Sequence, residues 1–228
     1  MFKNIKTTLF LAICFILPTT AQASVVLEST RIIYIAKSHG ATITVQNPDP
    51  NPYLIQSWIG NENSDAPLAD PLFITTPPLF RLDAEQSNTL RIVQMENKGE
   101  LPKDKQSVFW LNVKAIPASN PDATNTLLIS INSRIKLFYT PEGLSQNDFD
   151  LAYKNLKLSV SNNQLHIENP TPYYVTFSTL SVGDYKFNRP EMLSPESNYS
   201  WNLPNGTNGK ITWNAVNSYG GLTELLTK

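Results

Sequence analysis

The chain has 228 residues, of which 41% are apolar and only 16% charged, with 17 prolines against 9 glycines. That length reaches two small domains of roughly 100–150 residues each, and the apolar share suffices for packed cores, which excludes a disordered polyelectrolyte. A net charge of −1 without a basic run excludes the electrostatic footprint of a nucleic-acid binder.

Lys3 and Lys6 precede the apolar stretch 9–17, which is followed by Pro18 and the small-residue ending Ala21-Gln-Ala23. A positive start, a short apolar middle and an A-x-A site predict a secretory signal peptide over residues 1–23, removed after Ala23. Nine apolar residues are too few to span a bilayer and no later run is long enough, so no stable membrane insertion is expected. Cleavage takes Lys3 and Lys6 from the 18 basic residues, leaving 16 against 19 acids, a net charge of −3. It also removes Cys14, the only cysteine. The mature chain is therefore expected to lack disulfides and thiolate metal sites, and to stand on core burial alone.

Short-period alternation follows. Residues 41–45, 54–59, 89–93 and 107–113 read as strands, separated by turn clusters at 47–52 and 61–65. The stretch 25–34 places one cation, Arg31, inside an apolar strand pattern. Pro77 and Pro78 bar a central strand at that point and allow a cis bond. After a turn-rich junction at 140–143, strands resume at 156–160, 164–167, 173–180 and 210–213. Helical periodicity is nowhere sustained. The pattern predicts an all-β protein of two sandwiches joined near residue 141, over 24–141 and 142–228.

Residues 127–139 are unusual: thirteen residues without Pro or Gly, where strands commonly have five or six. One parity carries Leu127, Ile129, Ile131, Ile135, Leu137 and Tyr139; the other carries Ser130, Asn132, Arg134 and Lys136. Pattern alone allows two readings. One is a long core strand with a solvated face. The other is an edge strand, which would be an aggregation hazard unless a partner adds a strand to it.

Six stretches in order resemble the periplasmic chaperones of the chaperone–usher pilus pathway. The most specific is the stretch 101–117, Leu-Pro-Lys-Asp-Lys-Gln-Ser-Val-Phe-Trp-Leu-Asn-Val-Lys-Ala-Ile-Pro. It is joined by 29–34, 76–79, 134–139, 169–175 and 217–220, so that the likeness covers nearly all of the mature chain. The resemblance implies two immunoglobulin-like domains set in an L, or boomerang, with a working cleft between them. It implies pilin (fimbrial) subunits and an outer-membrane usher as partners, a periplasmic location, no cofactor and no catalysis. It makes Leu127, Ile129 and Ile131 the donor-strand side chains that fill a groove in the incomplete subunit. It makes Arg31 and Lys136 the two cations that anchor the subunit's terminal carboxylate. The free donor strand could also pair with a second copy. The short connection at about 117–125, without cysteines, is similar to the short-loop branch of the family.

Independently of family, two cations at one cleft can hold a carboxylate by charge-assisted hydrogen bonds, fixing the register of an added strand. Lys136 has the opposite parity to the three donor residues, which requires either a bulge or a strand whose two faces serve different partners. One departure stands out. Where the family commonly carries a Glu, an Arg and an Asp across the domain junction, this chain has Gln106, Thr140 and Ser218. Losing one such charge would cost about 3–5 kcal/mol, whereas losing all of them together can be nearly neutral. Neutral hydrogen bonds and apolar packing are then expected to hold the junction.

The rival readings are weaker. His39 and His166 lie in different halves without a metal-binding spacing, and no nucleophile elbow, P-loop or dinucleotide-binding glycine pattern is present. A secreted β-sandwich adhesin or structural pilus component is the alternative, although two complete sandwiches and paired cations do not suit a pilin.

Overall fold

The computed structural model describes residues 25–64, 66–95, 99–119 and 127–228. The signal-peptide expectation lies outside them, as does most of the 117–125 connection.

Nine strands form the first sandwich: β1 (Val26–Leu27), β2 (Arg31–Ile35), β3 (Ala41–Gln46), β4 (Tyr53–Gly60), β5 (Phe73–Thr76), β6 (Leu79–Leu82), β7 (Ser87–Gln94), β8 (Ser107–Pro117) and β9 (Ile131–Thr140). One sheet runs β1-β3-β7-β5 and the other β2-β9-β8-β4-β6. Alternation decides which side chains meet: Ile43, Val45, Leu90 and Ile92 from the first sheet face Ile55, Leu111, Val113 and Leu137 from the second, all buried. Each such side chain contributes about 1.5–3 kcal/mol of transfer free energy.

The stretch 25–34 is not one strand. β1 pairs with β3, and the chain then changes sheets, so that β2 pairs in parallel with β9. Ser29 makes the corner, its hydroxyl donating to the Arg31 carbonyl at 2.8 Å and accepting from the Arg31 N–H. Pro77 and Pro78, with a cis Thr76–Pro77 bond, separate β5 at the edge of one sheet from β6 at the edge of the other.

The second sandwich opens with the short helix α1 (Gln146–Leu151), capped by Ser145, whose Oγ accepts from Asp148 N at 3.0 Å. Its strands are β10 (Lys157–Ser161), β11 (Gln164–Asn169), β12 (Phe177–Val182), β13 (Tyr185–Lys186), β14 (Ser197–Asn202), β15 (Ile211–Ala215) and β16 (Leu226–Thr227). They form sheets β10-β11-β14 and β13-β12-β15-β16 around Leu158, Leu165, Ile167, Leu180 and Val182. The strand expected at 173–180 begins only at Phe177. Before it, the buried Asn169 side chain donates to the Tyr173 and Ser194 carbonyls and accepts from Thr171, bending the backbone around itself. The all-β architecture of two sandwiches in an L agrees with the expectation.

Phe138 ties the halves together. It lies on β9, yet its ring belongs to the second core, 5.5 Å from Phe149 and 5.8 Å from Tyr174.

Candidate functional site

The parallel register of β2 on β9 makes Arg31 and Lys136 direct partners. The row continues antiparallel to Trp110 on β8 and Gly60 on β4, so both cations sit where the first sandwich meets the second. Arg31 is only 7% exposed, lies 5.7 Å over the Phe138 ring, and donates from Nη1 to the Val216 carbonyl at 3.0 Å. Its Nε is buried without a partner among the described residues. No acid forms an ion pair with either cation there. Burial pushes the Arg31 guanidinium below its ordinary value, with Asp150 opposing. Burial, then the charge of Arg31, lowers the Lys136 ammonium, with Glu62 opposing. Two adjacent, partly desolvated cations with an orphaned donor constitute a site that an anion would complete. A cavity of about 590 Å³ opens beside Arg31, lined from the first sandwich by Ser29 and Ile33 and from the second by Gln146, Ser218 and Tyr219.

The chain matches two family models: "Pili and flagellar-assembly chaperone, PapD N-terminal domain" over residues 24–145 and "Pili assembly chaperone PapD, C-terminal domain" over 151–227. It belongs to the PapD family of pilus-assembly chaperones. It is 41% identical to the chaperone protein FimC of Escherichia coli O6:H1 over 210 residues, covering 91% of this chain and 85% of the relative. With LpfB of Salmonella typhimurium the identity is 37%, covering 96% and 94%. Among solved structures, a chain of the Salmonella enterica SafA pilin–SafB chaperone complex superposes with a TM-score of 0.78 at 34% identity, covering 92% of this chain and 98% of that one. The E. coli chaperone DraB gives 0.77 at 35%, covering 90% and 97%. The protein is thus a chaperone and not an enzyme.

In this chaperone the expected donor residues are among the exposed large apolar side chains. Leu127 is 82% exposed, Ile129 65% and Ile131 49%. The thirteen-residue strand is shorter than expected: β9 starts at Ile131, because its last pair with β8 is Ile131 with Ala115, and residues 127–130 have no strand beside them among the described residues. Neither of the two pattern readings covers all of β9. It is central from Lys136 onward, between β2 and β8, and an edge from 131 to 135.

No bulge reconciles the parities, since the β8–β9 register is uninterrupted. The two faces diverge instead: Leu137 and Tyr139 enter the first core, while Phe138 enters the second. Arg134, on the Lys136 face, lies 5.1 Å over Trp110 and donates to the Asn61 and Glu62 carbonyls, fastening the 61–64 turn beside the cations.

Of the junction residues, the structure joins Gln106 and Thr140 only. Gln106 Nε2 donates to Thr140 Oγ1 at 3.0 Å, and Gln106 Oε1 accepts from the Tyr174 N–H at 3.1 Å across the junction. Ser218 is bonded elsewhere, to Gln146 and Asp150. The junction is not wholly neutral either: an exposed Lys105–Glu196 pair at 3.0 Å crosses it, and Asp150 adds a carboxylate. Sequence reading missed Asp150, Val216 and Glu62. Asp150 lies 68 positions from Ser218, and no local pattern links residues so far apart.

Proposed function

We propose that the chaperone binds a pilin subunit by strand addition, with Leu127, Ile129 and Ile131 entering the subunit's groove and Arg31 with Lys136 holding its terminal carboxylate. The loaded subunit then passes to an outer-membrane usher. Residues 1–23 act as the signal peptide that brings the chain to the periplasm, leaving domains 24–141 and 142–228. Without a subunit, the same apolar edge is open to a second copy of the chain.

The observation that carries this reading is the buried Arg31 Nε without a partner, beside a second cation, at the inner end of a strand whose outer end leaves large aliphatic side chains in water. Charge-assisted bonds in a partly desolvated cleft set the register; backbone bonds and three aliphatic side chains, each worth about 1.5–3 kcal/mol on burial, supply affinity. The SafA–SafB complex, a pilin with its chaperone, supports the pairing by likeness.

Co-expression with a pilin subunit encoded beside the chaperone gene tests it. The chaperone is expected to protect the subunit from degradation and to co-purify with it one to one, which a structural pilus component would not do. Arg31→Ala and Lys136→Ala are expected to abolish protection while keeping a folded circular dichroism spectrum. A folded variant that still protects the subunit refutes the anchor.

A further inference from the structure

Arg31 is held by a backbone carbonyl of the other domain, and that carbonyl belongs to a tightly fixed turn. Val216 leads into residues 217–221, where the Asn217 side chain accepts from the Tyr219 and Gly221 N–H groups. Gly220, at φ +84°, lets this turn approach Thr30, since a Cβ there would stand 2.6 Å from Thr30 Oγ1. Ser218, buried within the turn, donates its N–H to Asp150 Oδ1 at 2.6 Å and its hydroxyl to Asp150 Oδ2 at 2.9 Å. Asp150 and Arg31 form no ion pair. The carboxylate therefore reaches the guanidinium through the turn and not by pairing with it.

We propose that Asp150 is a positioning residue for the anchor: by fixing Ser218 it fixes the Val216 carbonyl, which holds Arg31 with its free Nε available to an incoming carboxylate. This rests on the reading of Arg31 and Lys136 as a carboxylate clamp. Two effects of Asp150 oppose each other. Its negative charge competes with a bound carboxylate, whereas its hydrogen bonds preorganise the donor. The geometry favours preorganisation, because both carboxylate oxygens are engaged by Ser218 and neither by a cation.

The test compares two synthetic probes by calorimetry: an N-acetylated nine-residue peptide alternating Val and Thr, ending in a free carboxylate or in an amide. The unsubstituted chaperone is expected to prefer the free acid. Asp150→Ala is expected to lower that acid-over-amide ratio about tenfold, within the range for residues coupled through one network. Asp150→Asn, which removes the charge but keeps an acceptor for the Ser218 N–H, is expected to hold the ratio at or above the unsubstituted level. In an Arg31→Ala background, Asp150→Ala is expected to change nothing further. Should Asp150→Ala fold poorly, Ser218→Ala, which deletes one hydroxyl, is expected to lower the ratio in the same direction. The proposal is overturned if folded Asp150→Ala and Asp150→Asn both raise the ratio, which is charge competition alone, or if the Asp150→Ala effect persists without Arg31. Equal affinity of the unsubstituted chaperone for both peptides would instead overturn the clamp itself.

Discussion

From Leu137 to Tyr139, β9 runs between β2 and β8 with every side chain buried. From 127 to 135 the chain has at most one neighbouring strand, and Leu127, Leu128, Ile129 and Ile131 lie in water. Both stretches carry large apolar side chains, aliphatic in the outer one and mostly aromatic in the inner one. What separates them is the number of hydrogen-bonded neighbours, which β2 raises to two only from Lys136 onward. The buried half contributes to the stability of the chaperone. The exposed half contributes little to it, and on the proposed function keeps its apolar surface for another chain.

The sharpest way to break that comparison is to cut into the buried half. Phe138→Ala removes a ring shared with Phe149 and Tyr174 and is expected to lower the unfolding free energy by about 3–5 kcal/mol in a urea titration. A loss under about 1 kcal/mol would mean that the ring does not bridge the cores. Gln106→Ala, just ahead of β8 and opposite the inner end of β9, strands the Tyr174 N–H and leaves Thr140 Oγ1 without its donor. It is expected to cost about 1–3 kcal/mol, again by urea titration.

Lys136, at the boundary of the two halves, separates them by pH. Its folded-state pKa lies below the ordinary lysine value, so the unfolded chain binds more protons between the two pKa values. The Lys136 contribution therefore makes stability rise with pH through that alkaline window and leaves the full penalty in place below it. Partly buried tyrosines such as Tyr174, with raised pKa, act in the opposite sense above it. The informative quantity is the difference between the unsubstituted chaperone and Lys136→Met, which is expected to lose this rise. Identical pH profiles would contradict burial of the charge.

In the exposed half the effect on stability should nearly vanish. Leu127→Ala and Ile129→Ala are expected to change unfolding free energy by no more than about 0.5 kcal/mol, yet to lose subunit co-purification. A stability loss comparable to that of Phe138→Ala would show that the segment is packed in the free protein. Smallest of all is the response to salt. The Lys105–Glu196 ion pair that crosses the junction is exposed, so solution scattering is expected to give the same domain arrangement at low and high ionic strength.

Much of the fold can be read from alternation, because β3, β7 and β11 each bury one parity against a facing sheet and the period is visible in any short window. Reading fails where a side chain replaces the ladder. Ser29 turns the chain between sheets, and Asn169 bends residues 171–176 away from a strand that their composition favours. The pairing of Arg31 with Lys136 was legible only by resemblance, since the residues are brought together by a parallel register between distant segments. Asp150 left no trace because its role depends on a turn of the second sandwich that no residue near it in the chain announces.

The uninterrupted register of β9 also makes it a ruler. Five positions separate Ile131 from Lys136, with no bulge to absorb a change, so the innermost of the proposed donor side chains and the cation stand about 17 Å apart along the strand. Inserting or deleting one residue there would not only alter that distance but exchange the two faces, sending Phe138 to the wrong core. On the proposed function, length within β9 is held by folding and by cargo at once, whereas residues ahead of Ile131 answer to the cargo alone. Variation in subunit choice should accumulate on that outer side, where the chaperone can change what it grips without disturbing what it is.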